Sequence, residues 1–104
     1  FHGTYDDSIP FNGEFDFDSV PYVVNFWLNH NNIPQSSETI TQLNGGVGTK
    51  TEYSGGNGNT DFTLYKIDEE YGKEGGHVWF GDAINGKIPG QIMWDFLSNY
   101  TTND

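Results

Sequence analysis

Cysteine and arginine are both absent from this 104-residue chain, and four lysines stand against fifteen aspartates and glutamates. Without cysteine there are no disulfides, no thiol nucleophile and no Cys-based zinc site, while the redox compartment is left open. Without arginine the formal net charge falls to −11. Such a charge repels phosphate backbones and anionic membranes, so neither nucleic acid nor a membrane is expected as a partner. No apolar run approaches the ~20 residues that a bilayer-spanning helix needs, and no signal peptide is visible. Gly-x-Ser-x-Gly, the signature of a nucleophile elbow, occurs nowhere. The chain opens on Phe1 rather than methionine. It reads as the C-terminal part of something longer.

What is present is an aromatic-rich sequence, 16% Phe, Trp and Tyr, interleaved with fourteen glycines. That is enough apolar bulk for one small domain or a piece of one. In "SVPYVVNFWLNHNN", Val20, Val23, Val24, Trp27 and Leu28 recur at helical spacing and predict one apolar stripe packed on a sheet. Ser19 is the expected N-cap with Pro21 in the first turn, and Asn31-Asn32 followed by Pro34 stops the helix. Residues 35–46 read as a polar connection. "VGTKTEYS" and "TDFTLYKI" flank "GGNGN" and predict a hairpin. Its second strand carries bulk on both faces, Phe62 and Leu64 on one, Tyr65 and Ile67 on the other. "DEEYGKEGGHVWFGDAINGK" reads as an irregular loop. A last helix follows, with Pro89 near its start and a stripe of Ile92, Met93, Phe96, Leu97 and Tyr100. The order is strand end, acidic loop, helix, hairpin, His-bearing loop, helix: an α/β pattern.

Two loops that follow strands carry chemistry, one with Asp6 and one with His77. In an open parallel sheet ligands bind where such loops meet, at the carboxyl ends of the strands. An acid that orients a histidine, in that chain order, is the second half of a Ser–Asp–His relay. Taken singly, Asp6 in "GTYDDS" is as well explained as a turn former, and His77 in a Gly-rich loop as a surface residue.

Together these stretches resemble secreted α/β-hydrolase esterases related to polyhydroxybutyrate depolymerases and to feruloyl and acetylxylan esterases. "HGTYDDSIPFNG" is similar to the family's HGT-x-D-x-x-(V/I)-P-(Y/F)-N-G segment, and "SVPYVVNFWLNHNN" to the helix after it. "TEYSGG…TDFTLYKI" resembles its hairpin, "EGGHVW" its GGGHTWPG loop, and "IMWDFLSNY" its closing helix. The resemblance implies that residues 1–104 are the C-terminal segment of one α/β-hydrolase catalytic domain: late sheet strands, a hairpin and two flanking helices. It implies Asp6 as triad acid, His77 as triad base, and Trp79 as an aromatic beside the substrate cleft. Asp7 is the first alternative for the acid. The activity implied is hydrolysis of a small-molecule or polymeric carboxylic ester, without metal or cofactor, in a secreted or periplasmic protein. The nucleophilic serine would lie upstream, so the 104 residues alone are expected to be inactive.

The sequence departs from the family in reading "WFG" for WPG and in lengthening the approach to His77 with "DEEYGKE". Glu14, Asp16 and Asp18 alternate in "EFDFD" but lack the spaced acids and glycine of an EF-hand, so a solvated loop edge is expected rather than calcium. His2, His30 and His77 share no zinc-like spacing, and a structural hydrogen bond is expected of His2. Asn99-Tyr100-Thr101 is a glycosylation sequon. The rival reading is a small acidic module that binds carbohydrate or another partner through aromatics such as Tyr53, Trp79 and Phe80.

Overall fold

The computed structural model describes residues 1–14, 18–68 and 84–100. These form a small mixed α/β unit with one four-stranded sheet and two helices. The strands are β1 (His2–Gly3), β2 (Thr39–Gln42), β3 (Gly48–Tyr53) and β4 (Phe62–Ile67), in the order β1-β4-β3-β2. Helix α1 (Val20–His30) follows β1, and α2 (Pro89–Leu97) comes last. β3 and β4 are the expected antiparallel hairpin, with Tyr53 opposite Phe62 and Gly48 opposite Ile67. β1 lies parallel to β4, with His2 opposite Lys66 and Gly3 opposite Ile67.

Residues 35–46 are more than a connection. Thr39–Gln42 form an edge strand antiparallel to β3, and all four of its residues are exposed. Its sequence, Thr-Ile-Thr-Gln, has no buried face to announce it. Backbone pairing with β3 alone makes it a strand.

α1 forms as its local chemistry dictates. The Ser19 hydroxyl accepts from the Tyr22 amide at 3.2 Å, and Pro21 sits in the first turn, where its missing N–H costs nothing. At the other end Asn32 takes a left-handed φ of 52°, the Ile33 amide reaches back to the Leu28 carbonyl (2.9 Å) and the Asn32 amide to that of Asn29 (3.3 Å). This is a Schellman stop, sealed by burial of Ile33 with Leu28. The buried stripe is narrower than the five predicted residues. Val24 and Leu28 are buried and Val20 is partly so, whereas Val23 and Trp27 are 40% and 43% exposed. Only residues one or two whole turns apart meet the sheet.

Side chains alternate across the hairpin and feed two small cores. On one face Tyr53, Phe62 and Leu64 pack under Val24, Leu28 and Ile33. On the other, Tyr65 joins Ile67, Leu43 and Ile84, with Phe1, Val47 and Ile92 against them. β4 serves both, as its two bulky faces require. Burying a side chain such as Leu28 or Ile67, each 1% exposed, contributes about 1.5–3 kcal/mol.

Gly48 is obligatory. Its φ is 152°, and a Cβ there would lie 1.9 Å from the Lys66 carbonyl oxygen, in backbone that cannot yield. The end of the His-bearing stretch is also more ordered than expected. Asn85-Gly86, both with positive φ, close a two-residue turn in which Ile84 and Lys87 exchange backbone hydrogen bonds of 2.7 and 3.1 Å. Asn-Gly is the preferred pair for such a turn.

Candidate functional site

The parallel pairing of β1 with β4 places the carboxyl ends of both strands side by side. The Thr4 amide extends the ladder by one bond to the Ile67 carbonyl (2.8 Å), and the Thr4 hydroxyl donates to Asp68 Oδ1 at 2.5 Å. The turn carrying Asp6 and the end of β4 at Asp68 are therefore neighbours. His77 belongs to the segment that follows Asp68 in the chain. With Trp79 and Phe80, it lies outside the described residues.

Asp6 is the only buried charged residue among those described, at 8% exposure, while Asp7 beside it is exposed. Its two carboxylate oxygens have different neighbours among the described residues. Oδ1 accepts the Ser8 amide at 2.9 Å and the Ile9 amide at 2.8 Å, an Asx arrangement that folds residues 6–9 around the side chain. Oδ2 lies 3.6 Å from His2 Nε2. The same His2 nitrogen is 2.8 Å from the Ile9 carbonyl, the structural bond expected of it. The Asx turn thus holds the carboxylate through Oδ1 and fixes its orientation. Asp7 is exposed, and the Ser8 and Ile9 amides bond to Asp6.

Residues that the sequence reading passed over join this strand-end cluster. Asp68 follows β4 as Asp6 follows β1, and its bond to Thr4 ties the two strand ends together. Phe11 stands edge-on to the His2 ring at 5.9 Å, and the Lys66 ammonium lies over the Phe11 ring at 5.2 Å. A row of Asp6, His2, Phe11 and Lys66 thus lines the α1 side of the strand ends. The signal that could have found it is the register of β1 on β4, which sequence spacing does not contain.

A second concavity lies under α2. A groove of about 880 Å³ separates that helix from the sheet, with Lys50, Glu52, Thr63 and Tyr65 on the sheet side and Met93 and Phe96 on the helix side. Along its walls Lys50 pairs with Glu52 (3.5 Å) and Lys87 with Asp95 (2.8 Å), while Asp61 accepts the Tyr100 hydroxyl. Asp95 holds the Lys87 ammonium above its ordinary range, and Lys87 with Gln91 holds the Asp95 carboxyl below its own. Tyr53, expected in the rival reading as a binding aromatic, packs its ring against the α1 core and donates its hydroxyl to Glu38 at 2.5 Å. Burial, then that hydrogen bond, pushes its phenol up to about 12.

Among the described residues no group of three or more His, Cys, Asp or Glu could hold a metal ion, with Asp16 of the "EFDFD" stretch outside them. Nor is any described helix long and apolar enough to cross a membrane. No protein-family model, no curated protein and no solved structure matches the chain.

Proposed function

We propose that this chain supplies the acid and the histidine of a serine-type carboxylic ester hydrolase, as the C-terminal part of an α/β-hydrolase domain. Asp6 is the acid and His77 the base, with the serine on a segment outside these 104 residues. The observation that carries this reading is the buried Asp6 carboxylate at the carboxyl end of β1, beside the strand end from which the His77 segment departs. His77 would take the serine proton during attack on the ester carbonyl, return it to the leaving alcohol, and repeat the cycle with water. Asp6 would hold the imidazole in the correct tautomer and stabilise its cation, with Trp79 walling the cleft.

The test is a ranking of variants in the protein that includes the serine-bearing segment. His77→Ala should lower turnover almost as far as loss of the serine, because triad members act as a unit. Asp6→Asn should cost up to about 10⁴-fold through the wrong tautomer, while Asp7→Asn leaves the rate near wild type. Trp79→Ala should cost roughly 1–3 kcal/mol and depend on the substrate. The 104-residue chain alone should not turn over a nitrophenyl ester. Activity that survives Asp6→Asn and His77→Ala but vanishes with Trp79→Ala would overturn the esterase reading. It would favour instead a carbohydrate-binding or interaction module. One observation already leans that way: Tyr22, Phe26 and Trp27 stand 59%, 53% and 43% exposed on the outer face of α1.

A further inference from the structure

The imidazole of His2 bonds to the Ile9 carbonyl, and the direction of that bond is chemically fixed. The Ile9 carbonyl can only accept, so His2 Nε2 carries a hydrogen and donates it across 2.8 Å. Ile9 is consequently held from both sides of its peptide unit: its carbonyl by His2, its amide by Asp6 Oδ1 at 2.8 Å. The chain from residue 2 to residue 9 is closed into a ring whose links are His2, Ile9 and Asp6. Within it, a third bond from the Ser8 amide fixes the plane of the carboxylate. The His2 ring cannot easily swing out of this ring, since it is four-fifths buried and set against the edge of Phe11. Among the described residues, the charged groups facing it are Asp6 from the turn and, across Phe11, Lys66 from β4.

We infer that His2 is a positioning residue for the Asp6 carboxylate: by donating to the Ile9 carbonyl it holds the turn whose amides occupy Oδ1, and so decides the direction in which Oδ2 faces. The inference deepens the reading of Asp6 as the triad acid, and rests on it only where activity is concerned. In isolation a short Asp-containing turn on a polar surface opens readily, because water competes for each of its amides. The imidazole link converts it into a preorganised element, which a group that must orient a catalytic histidine requires.

The experiment is amide hydrogen exchange and imidazole ¹⁵N spectroscopy on the 104-residue chain. In the wild type, His2 should show the Nε2–H tautomer when neutral. In His2→Ala, protection of the Ser8 and Ile9 amides should fall about tenfold or more, while the amides of the β3–β4 ladder keep theirs. His2→Gln, which retains a side-chain N–H donor, should restore most of that protection. A neutral Nδ1–H tautomer overturns the inference even if His2→Ala fails to fold, and so does unchanged protection at Ser8 and Ile9. Loss of protection that glutamine cannot rescue, or that spreads evenly over the hairpin, also overturns it by showing mere packing. In the protein joined to its serine, His2→Ala should lower kcat with KM held, and His2→Gln should recover it. Local protection that behaves as stated in a protein without ester hydrolysis would leave the clamp standing and remove the esterase reading. Intact hydrolysis with unaltered kcat in His2→Ala would overturn the positioning role and spare the esterase.

Discussion

α1 and α2 each hold a proline in the first turn and carry an apolar stripe, yet α1 buries Val24 and Leu28 on the sheet while α2 buries only Pro89. The difference lies in what each helix meets. The sheet face under α1 presents Tyr53, Phe62 and Leu64, an apolar floor beneath Val24 and Leu28. The face under α2 is apolar only near Tyr65 and Ile67, where Ile92 rests; farther along it presents Lys50, Glu52 and Thr63. α2 therefore touches down at its first turns, and the groove opens beneath the rest. Trp94 and Leu97 remain 64% and 59% exposed. An apolar stripe settles which side of a helix can be buried. The opposing surface settles how much of it is.

Truncation should expose this contrast most strongly. Leu28→Ala leaves a cavity at the centre of the α1 core and should cost about 2–5 kcal/mol in urea denaturation. Leu97→Ala on α2 should stay within about 0.5 kcal/mol, as an exposed side chain does. Equal costs would mean that α2 is packed as firmly as α1, and the contrast would collapse.

Capping gives a smaller effect of opposite sign in the two helices. Ser19 caps α1 through its hydroxyl, whereas the N-cap of α2 is Ile88, with no side-chain bond to the first turn. Ser19→Ala should destabilise by about 1 kcal/mol, and Ile88→Ser should stabilise by a similar amount, both read as shifts of the urea midpoint. A destabilising Ile88→Ser would show that Ile88 makes apolar contacts that its 57% exposure does not suggest.

The smallest effect is alkaline. Burial and a bond to Glu38 raise the Tyr53 phenol, near the α1 core, to about 12. Burial and a bond to Asp61 do the same for Tyr100, just beyond α2. Each binds its proton more tightly folded than unfolded. Its stabilising contribution is thus complete below the ordinary value of 10.0 and is lost as the pH rises through about 12. Absorbance at the tyrosinate band should show a late-titrating component that Tyr53→Phe and Tyr100→Phe each reduce by one group. If Tyr100 titrates at the ordinary value while Tyr53 stays late, the end of α2 is looser than its bond to Asp61 implies.

Much of this molecule was legible before folding wherever the cause is local. Ser19 with Pro21 announces the start of α1, Asn32 its end, and the Gly/Asn run the β3–β4 hairpin, because caps and turns are hydrogen bonds between near neighbours. Even the Asn85-Gly86 turn had its signal, though the long loop around it obscured the pair. Asp6 was legible as a turn former and, through resemblance, as an acid. Sequence spacing could not say how the carboxylate is placed, since the approach of Ser8 and Ile9 to Oδ1 and of His2 to Oδ2 is a matter of three-dimensional angles.

The remainder was decided by pairing over distance. β2 is a strand only because β3 offers it an edge; Thr-Ile-Thr-Gln carries no period that a buried face would impose. Val23 and Trp27 look as apolar as Val24 and Leu28, but the cylinder of a helix presents only a narrow strip to the sheet, and only the latter two lie on it. The meeting of the Asp6 turn with the strand that leads to His77 rests on two register pairs, His2 with Lys66 and Gly3 with Ile67, sixty-four residues apart in the chain. By itself the sequence determined the elements and their ends, whose energies are local. The tertiary structure decided which faces are buried and which strand ends are neighbours, because those energies exist only once distant segments share a surface.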